Sequence, residues 1–465
     1  MKKKFLLLIL FIGAFMRLYR LEDLMLFIGD QGWFYLQARD LLLTGNIPLV
    51  GITSSHVWLH QGPFWTYILS FLMGIFGFNP VVGSYFTVLM GVATVWLVYF
   101  MGSKIFSENI GLIASFLYAT SPLAIIHSRM SYHTSLIPFF SIILLYVYHK
   151  WVNGEHKVFP LIVLLLAILY NFELATFVFT PLVIATFIYG LLKKREWAKK
   201  VLSKRILAMS LFSLVIPMLP MLVYDIQNGY NQTIKFGAWA IYRIAVFLGY
   251  PPLNPNAPAE TWQTFIPYTL NLLKKLIFAE GLFVTITIFI LSIYLLVKLS
   301  RQEIKSKRKS YATLLLFVLV PMLGYIAAKT NSEAYTLIVF PSVIMSIAIL
   351  FEYVRAKVTP AILLVLIIMG VINSYTLLSK DYLMGEYGYL IPYSERKQAA
   401  QEIVEKSDGK NYNLIGVGEG SKYESFLSNY EYLTWWIGNP PSKKDIDLKI
   451  YLTEKVDEVI VEINK

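Results

Sequence analysis

Runs of about 20 apolar residues recur along this chain, and that is the length a helix needs to cross the hydrocarbon core of a bilayer. With 57% hydrophobic and only 15% charged residues, a water-soluble globule is excluded. Spans are expected near 5–21, 81–102, 110–126, 134–150, 158–172, 174–192, 206–224, 276–298, 311–328, 333–351 and 358–378. The first follows Lys2-Lys3-Lys4 and resembles the charged and apolar regions of a signal peptide. No small-residue cleavage site follows it, and many spans do, so it reads as a retained anchor. The net charge of +12 invites a nucleic-acid reading, but the excess lies in short loops between spans and reads as a topology signal. Without cysteine, neither disulfides nor thiolate metal sites are available.

Segment 63–79 decides the topology. It is apolar, short for a crossing, and interrupted by Gly74 and Gly77. If it crosses, every later basic loop is thrown outside. If it lies in the interface, Lys2–Lys4, Lys104, Lys150, Lys193-Lys194-Arg195, Lys199-Lys200, Lys307-Arg308-Lys309 and Arg355 share one side. The opposite loops then carry few cations, among them Arg17, Arg20, Arg39, Arg129, Arg243, Lys274 and Lys275. The positive-inside rule selects the interfacial helix, eleven spans and a cytoplasmic N-terminus. The outer face then holds loop 22–62, the turn His127–His133, loop 225–275 with its proline-rich run 251–258, and a polar tail, 379–465. The expected fold is an all-α polytopic membrane module, 1–378, followed by a small extracytoplasmic α/β domain. In that domain helices are expected over Tyr393–Lys406 and Lys422–Trp435, and strands over Tyr412–Gly418, 448–452 and 458–463.

Asp30, just past the first span, is a carboxylate at the membrane boundary, and an ionisable group there is a candidate functional site. It also directly precedes the helical stretch Gln31–Leu43, closed by Thr44-Gly45, so a simple N-cap is the competing explanation. Glu173, flanked by apolar runs, falls at a tight outer turn and is a second candidate for positioning substrate or capping a span. His56 and His60 lie four apart but lack a secondary-structure frame that would make them metal ligands. Matching broken helices, which an alternating-access transporter shows, are not evident. Nor is a filter loop of the kind channels use.

The order Gly29-Asp30-Gln31-Gly-Trp-Phe-Tyr35, Gln61-Gly62-Pro63-Phe-Trp-Thr-Tyr67, Lys104-Ile-Phe106, Ala119-Thr-Ser-Pro122 and Ser128-Arg129 resembles the GT-C glycosyltransferases of the protein mannosyltransferase and aminoarabinose transferase type. The resemblance covers residues 5–190 by motif and the remainder by span layout. It implies a catalytic Asp in the first outer loop, Asp30, and an interfacial helix after it. The implied reaction is inverting transfer of a sugar from a polyprenyl phosphate to a lipid, glycan or protein acceptor at the outer face. Asp30 would act as general base, and Arg129 with His133 would meet the donor phosphate, since guanidinium matches phosphate oxygens. Glu173, His60 and Tyr35 would position substrate. No cofactor and no resident metal are expected, although a divalent cation stays compatible with this chemistry, and no nucleic acid is an expected partner. Three departures stand out: Gln31 where many members carry Glu, His133-Thr134 where an acid often follows the Ser-Arg turn, and Glu333-Ala334-Tyr335 before Pro341 where an Arg-Tyr pair is frequent. Trp435-Trp436-Ile-Gly438 partly resembles the Trp-Trp-Asp-Tyr-Gly signature of oligosaccharyltransferases but lacks its Asp and Tyr. The alternative function is a transporter or flippase of lipid-linked saccharides, with Asp30 and Glu173 lining a pathway.

Overall fold

The computed structural model describes residues 2–54, 58–250, 261–302, 307–329, 331–356, 358–379, 391–455 and 458–463. Helix α1 (Lys2–Leu18) leads through the single turn α2 (Leu21–Leu24) into α3 (Gly29–Thr44), which stops at Gly45 with φ 73°. Then come α4 (Phe64–Phe76), α5 (Val82–Ile105), α6 (Glu108–Ala119), α7 (Pro122–Ser128), α8 (Ile137–Val152), α9 (Phe159–Phe172) and α10 (Phe179–Leu192). The short α11 (Glu196–Lys199) precedes α12 (Lys204–Gln227), α13 (Asn231–Phe247), α14 (Trp262–Ile277), α15 (Leu282–Arg301), α16 (Arg308–Ala328), α17 (Phe340–Arg355) and α18 (Thr359–Leu378).

By length and composition, eight of the described helices can cross a membrane, or nine if the bent pair α6 and α7 counts as one span. The two other expected spans, Lys2–Leu18 and His156–Phe172, are one residue short of that 18-residue length. Proline explains the bend. Pro122 cannot donate to the ladder and pushes Ser121 out of helical conformation, so the axis turns by 66°. The carbonyls freed at the end of α6 are met by buried Arg17, which donates to Ala119 O at 3.2 Å and Tyr118 O at 3.4 Å. Arg17 is therefore an internal brace rather than a loop charge. Helix α4 has 13 residues, about 20 Å at 1.5 Å per residue, which falls short of a bilayer core of about 30 Å. It packs along α3.

The loops sort to two ends of the bundle. At one, Lys2 pairs with Glu108 at 2.8 Å, Lys307 Nζ donates to Phe106 O at 2.9 Å, Lys309 Nζ donates to Val152 O at 3.0 Å, and Asn109 donates to Glu352. At the other lie the start of α3, the turn 127–133, Glu173, α13, α14 and the tail. The segment Glu333–Arg355, which ends in α17, is the central one: 72% of its apolar window is buried, against 22% for α12 and α15, whose apolar faces point outward. Loop 225–275 differs from expectation, because its amphipathic stretches fold as α13 and α14. The crossing expected at 276–298 accordingly begins at Leu282 and ends at Arg301. The proline-rich run 251–258 lies outside the described residues.

The tail holds α19 (Tyr393–Ser407), β1 (Asn413–Val417), α20 (Ser428–Ile437), β2 (Lys449–Glu454) and β3 (Val459–Ile463). The sheet order is β1-β2-β3, with β1 parallel and β3 antiparallel to β2. Its core joins Ala399, Ile403, Tyr412, Tyr430, Ile450, Leu452 and Val461. Arg396, almost fully buried, grips Glu454 with two hydrogen bonds of 2.9 and 3.1 Å. The expected helix Lys422–Trp435 is shorter and later, since residues 419–422 form a 3-10 turn. Helix α20 lies against α3, where Asn429 Nδ2 donates to Phe27 O at 2.9 Å and Tyr432 Oη donates to Phe78 O at 2.7 Å. Trp435 packs edge-on to Phe78 and under the Arg39 guanidinium.

Candidate active site

The start of α3 determines what Asp30 does. The N-cap position is Ile28, whose N–H donates to Gln31 Oε1 at 2.8 Å. Gln31 thus closes the helix from its third position, as in the second half of a capping box. Asp30 is not the cap. Its carboxylate instead accepts from Tyr132 Oη on Oδ2 at 3.0 Å and from Ser425 Oγ on Oδ1 at 2.6 Å. Each carboxylate oxygen keeps further acceptor capacity.

This carboxylate opens on a pocket walled by α3, α7, α14 and the segment 331–334. His127, Tyr132, Lys275 and Glu333 line it with Asp30 and Gln31. Several of its polar atoms are buried without a hydrogen-bond partner in the protein: Gln31 Nε2, both ring nitrogens of His127, and Asn331 Oδ1. His127 Nε2 stands 3.8 Å from Glu333 Oε1, too far for a hydrogen bond. Such groups cost stability unless something completes them. Lys275 is 3% exposed, which puts a cation in the wall of the same pocket. An apolar cavity lined by Leu123, Leu276, Met322, Val339 and Phe340 adjoins it at Leu272.

The other sequence candidates lie elsewhere. Arg129 is buried, and its Nη1 donates to Tyr19 O at 2.7 Å, Arg17 O at 3.1 Å and Met16 O at 3.3 Å, while Nη2 reaches Arg20 O at 3.5 Å. The Met16, Arg17 and Tyr19 carbonyls lie at the end of α1, where intrahelical partners run out, whereas Arg20 O also accepts the Leu24 N–H at 3.0 Å. The donor-phosphate role expected of Arg129 finds no support in these bonds, which go to backbone carbonyls, and Arg129 does not line the Asp30 pocket. Burial, with Arg17 nearby, pulls the guanidinium down to about 10, which leaves it a cation at neutral pH. His133 packs on Phe34 and Tyr132 and stands 3.8 Å from Glu173 Oε2, so it faces Glu173 rather than the Asp30 pocket. Glu173 accepts from Gln61 Nε2 at 3.2 Å and from Ala175 N–H at 3.2 Å, capping the following turn. It borders a separate cleft with Phe236, Trp239 and Arg243.

His60 pairs with Gln232, Nδ1 to Oε1 at 3.2 Å, and packs on Tyr224, joining the first outer loop to α13. Burial lowers the pKa of this histidine, and the Gln232 bond partly offsets it. Tyr35 donates to Pro80 O at 2.6 Å, meets Ser131 Oγ at 2.9 Å and accepts from Gly83 N–H. It braces α3 against α5 and stands outside the pocket lining. His56 lies outside the described residues. No three His, Asp or Glu side chains gather as metal ligands among the described residues.

Two side chains of the pocket wall, Tyr132 and Lys275, and Ser425 on the Asp30 carboxylate carry no local signal that marks them as site residues, and His127 reads from sequence as an interface residue of the outer turn. Residues 60–224 match the family model for dolichyl-phosphate-mannose-protein mannosyltransferase. The whole architecture superposes on ArnT from Cupriavidus metallidurans bound to undecaprenyl phosphate, with TM-score 0.61, 10% identity, and coverage of 96% of this chain and 92% of that one.

The chain has the GT-C fold.

The oligosaccharyltransferase branch of that fold matches as well. AglB from Archaeoglobus fulgidus, in complex with an inhibitory peptide and a dolichol-phosphate, gives TM-score 0.56 and 12% identity over 93% of this chain. The form of the Archaeoglobus fulgidus enzyme with Zn and sulfate gives 0.58 and 14% over 92%. This chain spans only 63% and 61% of those two. No match is found among curated protein sequences. As expected of this fold, the chain is a polytopic, mainly helical membrane protein with a small C-terminal sheet.

Proposed function

We propose that this chain is a membrane glycosyltransferase that moves a sugar from a polyprenyl phosphate to an acceptor hydroxyl at the extracytoplasmic end of the bundle. The observation that carries the reading is Asp30: a carboxylate freed from capping and oriented by two hydroxyls, in a pocket whose wall also holds a buried lysine. The basic loops cluster at the opposite end, which the positive-inside rule makes cytoplasmic. The acceptor oxygen attacks the anomeric carbon as its proton passes to Asp30, and the carbon–oxygen bond to phosphate breaks on the opposite face. A single displacement of this kind inverts the sugar. Negative charge growing on the departing phosphate is met by Lys275, with His127 beside it. The apolar cavity at Leu272 suits the first units of the lipid chain. The mannosyltransferase family match and the undecaprenyl phosphate bound to ArnT support this donor class.

The test is a panel of radiolabelled polyprenyl-phosphate monosaccharides given to purified protein, reading release of polyprenyl phosphate. Wild type releases it, and Asp30→Asn loses about two to four orders of magnitude, the usual worth of a general base, while still binding undecaprenyl phosphate. Near-normal turnover by Asp30→Asn refutes the base. Movement of intact lipid across a vesicle without bond cleavage would establish a flippase instead.

A further inference from the structure

Asp30 has two hydroxyl partners, and one of them comes from the far end of the chain. Ser425, 395 residues away in sequence, donates to Oδ1 at 2.6 Å, the shorter of the two bonds. Two glycines of the acidic motif let this happen. A Cβ on Gly29 would stand 2.1 Å from the carbonyl oxygen of Ser425, and one on Gly32 would stand 2.1 Å from the amide nitrogen of Asn429. Both obstacles are backbone atoms, which cannot swing aside, so the tail reaches Asp30 only where α3 carries no side chain. The seat is fixed again by Asn429 on Phe27 O and Tyr432 on Phe78 O. Residues that close this approach belong to no tail-only core; they join the tail to the site.

We infer that Ser425 is a positioning residue for Asp30, and that the tail is therefore part of the catalytic centre rather than an appendage. The inference rests on the general-base reading above. A carboxylate with a single partner can rotate about its terminal bond. Held between Tyr132 and Ser425, it presents its remaining lone pairs in one direction, toward the pocket. Misplacing a catalytic group by about 1 Å can cost a hundredfold in rate.

The test compares Ser425→Ala, Ser425→Thr, Gly32→Ala and Asp30→Asn, using a polyprenyl-phosphate sugar that wild type turns over. Ser425→Ala should lower kcat by about tenfold to a hundredfold with donor KM and undecaprenyl phosphate affinity unchanged, and Ser425→Thr should recover most of the rate. Gly32→Ala, which displaces the tail but keeps the hydroxyl, should show the same loss in kcat. Ser425→Ala and Gly32→Ala turning over like wild type, with Asp30→Asn inactive, overturn the positioning role alone. An active Asp30→Asn overturns the general-base reading, and the role of Ser425 with it. A loss in Ser425→Ala that Ser425→Thr does not recover also overturns the inference, because it assigns the defect to packing.

Discussion

Replacing Arg129 by Met separates a helix clamp from a phosphate ligand, and the size of the effect follows from its hydrogen bonds. Of the four carbonyls it reaches, those of Tyr19 at 2.7 Å and Arg17 at 3.1 Å have good geometry, while Met16 at 3.3 Å and Arg20 at 3.5 Å add little. A hydrogen bond to a charged group contributes about 1.5–3 kcal/mol, so losing the two close ones costs about 3–6 kcal/mol. The packing of α1 against α7 also weakens, although methionine fills part of the space. Destabilisation of 1 kcal/mol lowers Tm by about 2–4 °C in a domain of 150–250 residues and by less in a longer chain. At about 1 °C per kcal/mol for a chain of 465 residues, a fall of about 3–6 °C is expected. The assay is thermal unfolding in detergent, followed by tryptophan fluorescence, with undecaprenyl phosphate binding measured well below the transition. Arg129→Met should unfold early yet bind the lipid phosphate as wild type does. Normal Tm with lipid affinity reduced tenfold or more would refute the clamp and support the phosphate role.

Lys275→Met should weaken undecaprenyl phosphate binding by about tenfold to a hundredfold, as loss of a charge-assisted bond of about 1.5–3 kcal/mol requires; equal affinity in an equilibrium titration would exclude Lys275 from the phosphate site. His60 gives a pH dependence. Its folded pKa lies below the unfolded value of about 6.5 because burial disfavours the cation, so its junction with Gln232 is fully stable above that pH and loosens as pH falls below it. Hydrogen-exchange protection factors at the amides of Gly51 and Gln61, which close the loop ladder, should fall between pH 6.5 and 5 in wild type by more than in His60→Gln.

How much of this was legible in the sequence depends on the range of the interaction. Apolar runs fix helices locally, so ten of the eleven expected spans lie on helices at nearly the expected positions. The exception, 276–298, starts early because Leu276-Ile277-Phe278-Ala279, at the end of α14, read as apolar span residues, whereas the crossing begins only after Glu280-Gly281. Asp30 was legible as a costly carboxylate at a membrane boundary. Its role as cap or free carboxylate was not, because that turned on which of three adjacent residues began the helix. The role of Arg129 is open in the sequence for a related reason. An arginine on an outer turn looks the same in sequence whether it faces a ligand or the exposed carbonyls of α1, and only packing distinguishes the two. Ser425 had no local signature, since its contact is made across 395 residues.

Gln31 shows why a departure from a family pattern need not weaken a site. The residue is fully buried, and its Oε1 holds the Ile28 N–H. A glutamate there could make the same bond, but it would place a second carboxylate, itself buried, one residue from Asp30. Two such charges disfavour each other's ionised form, and a base that must accept a proton works from the ionised form. The amide keeps the cap and adds no charge. It also leaves Nε2 as a buried donor without a partner in the protein, at the lining of the same pocket. The four residues Gly29-Asp30-Gln31-Gly32 therefore divide the work among them. The glycines admit the tail, Gln31 starts the helix, and Asp30 is left free to face the pocket.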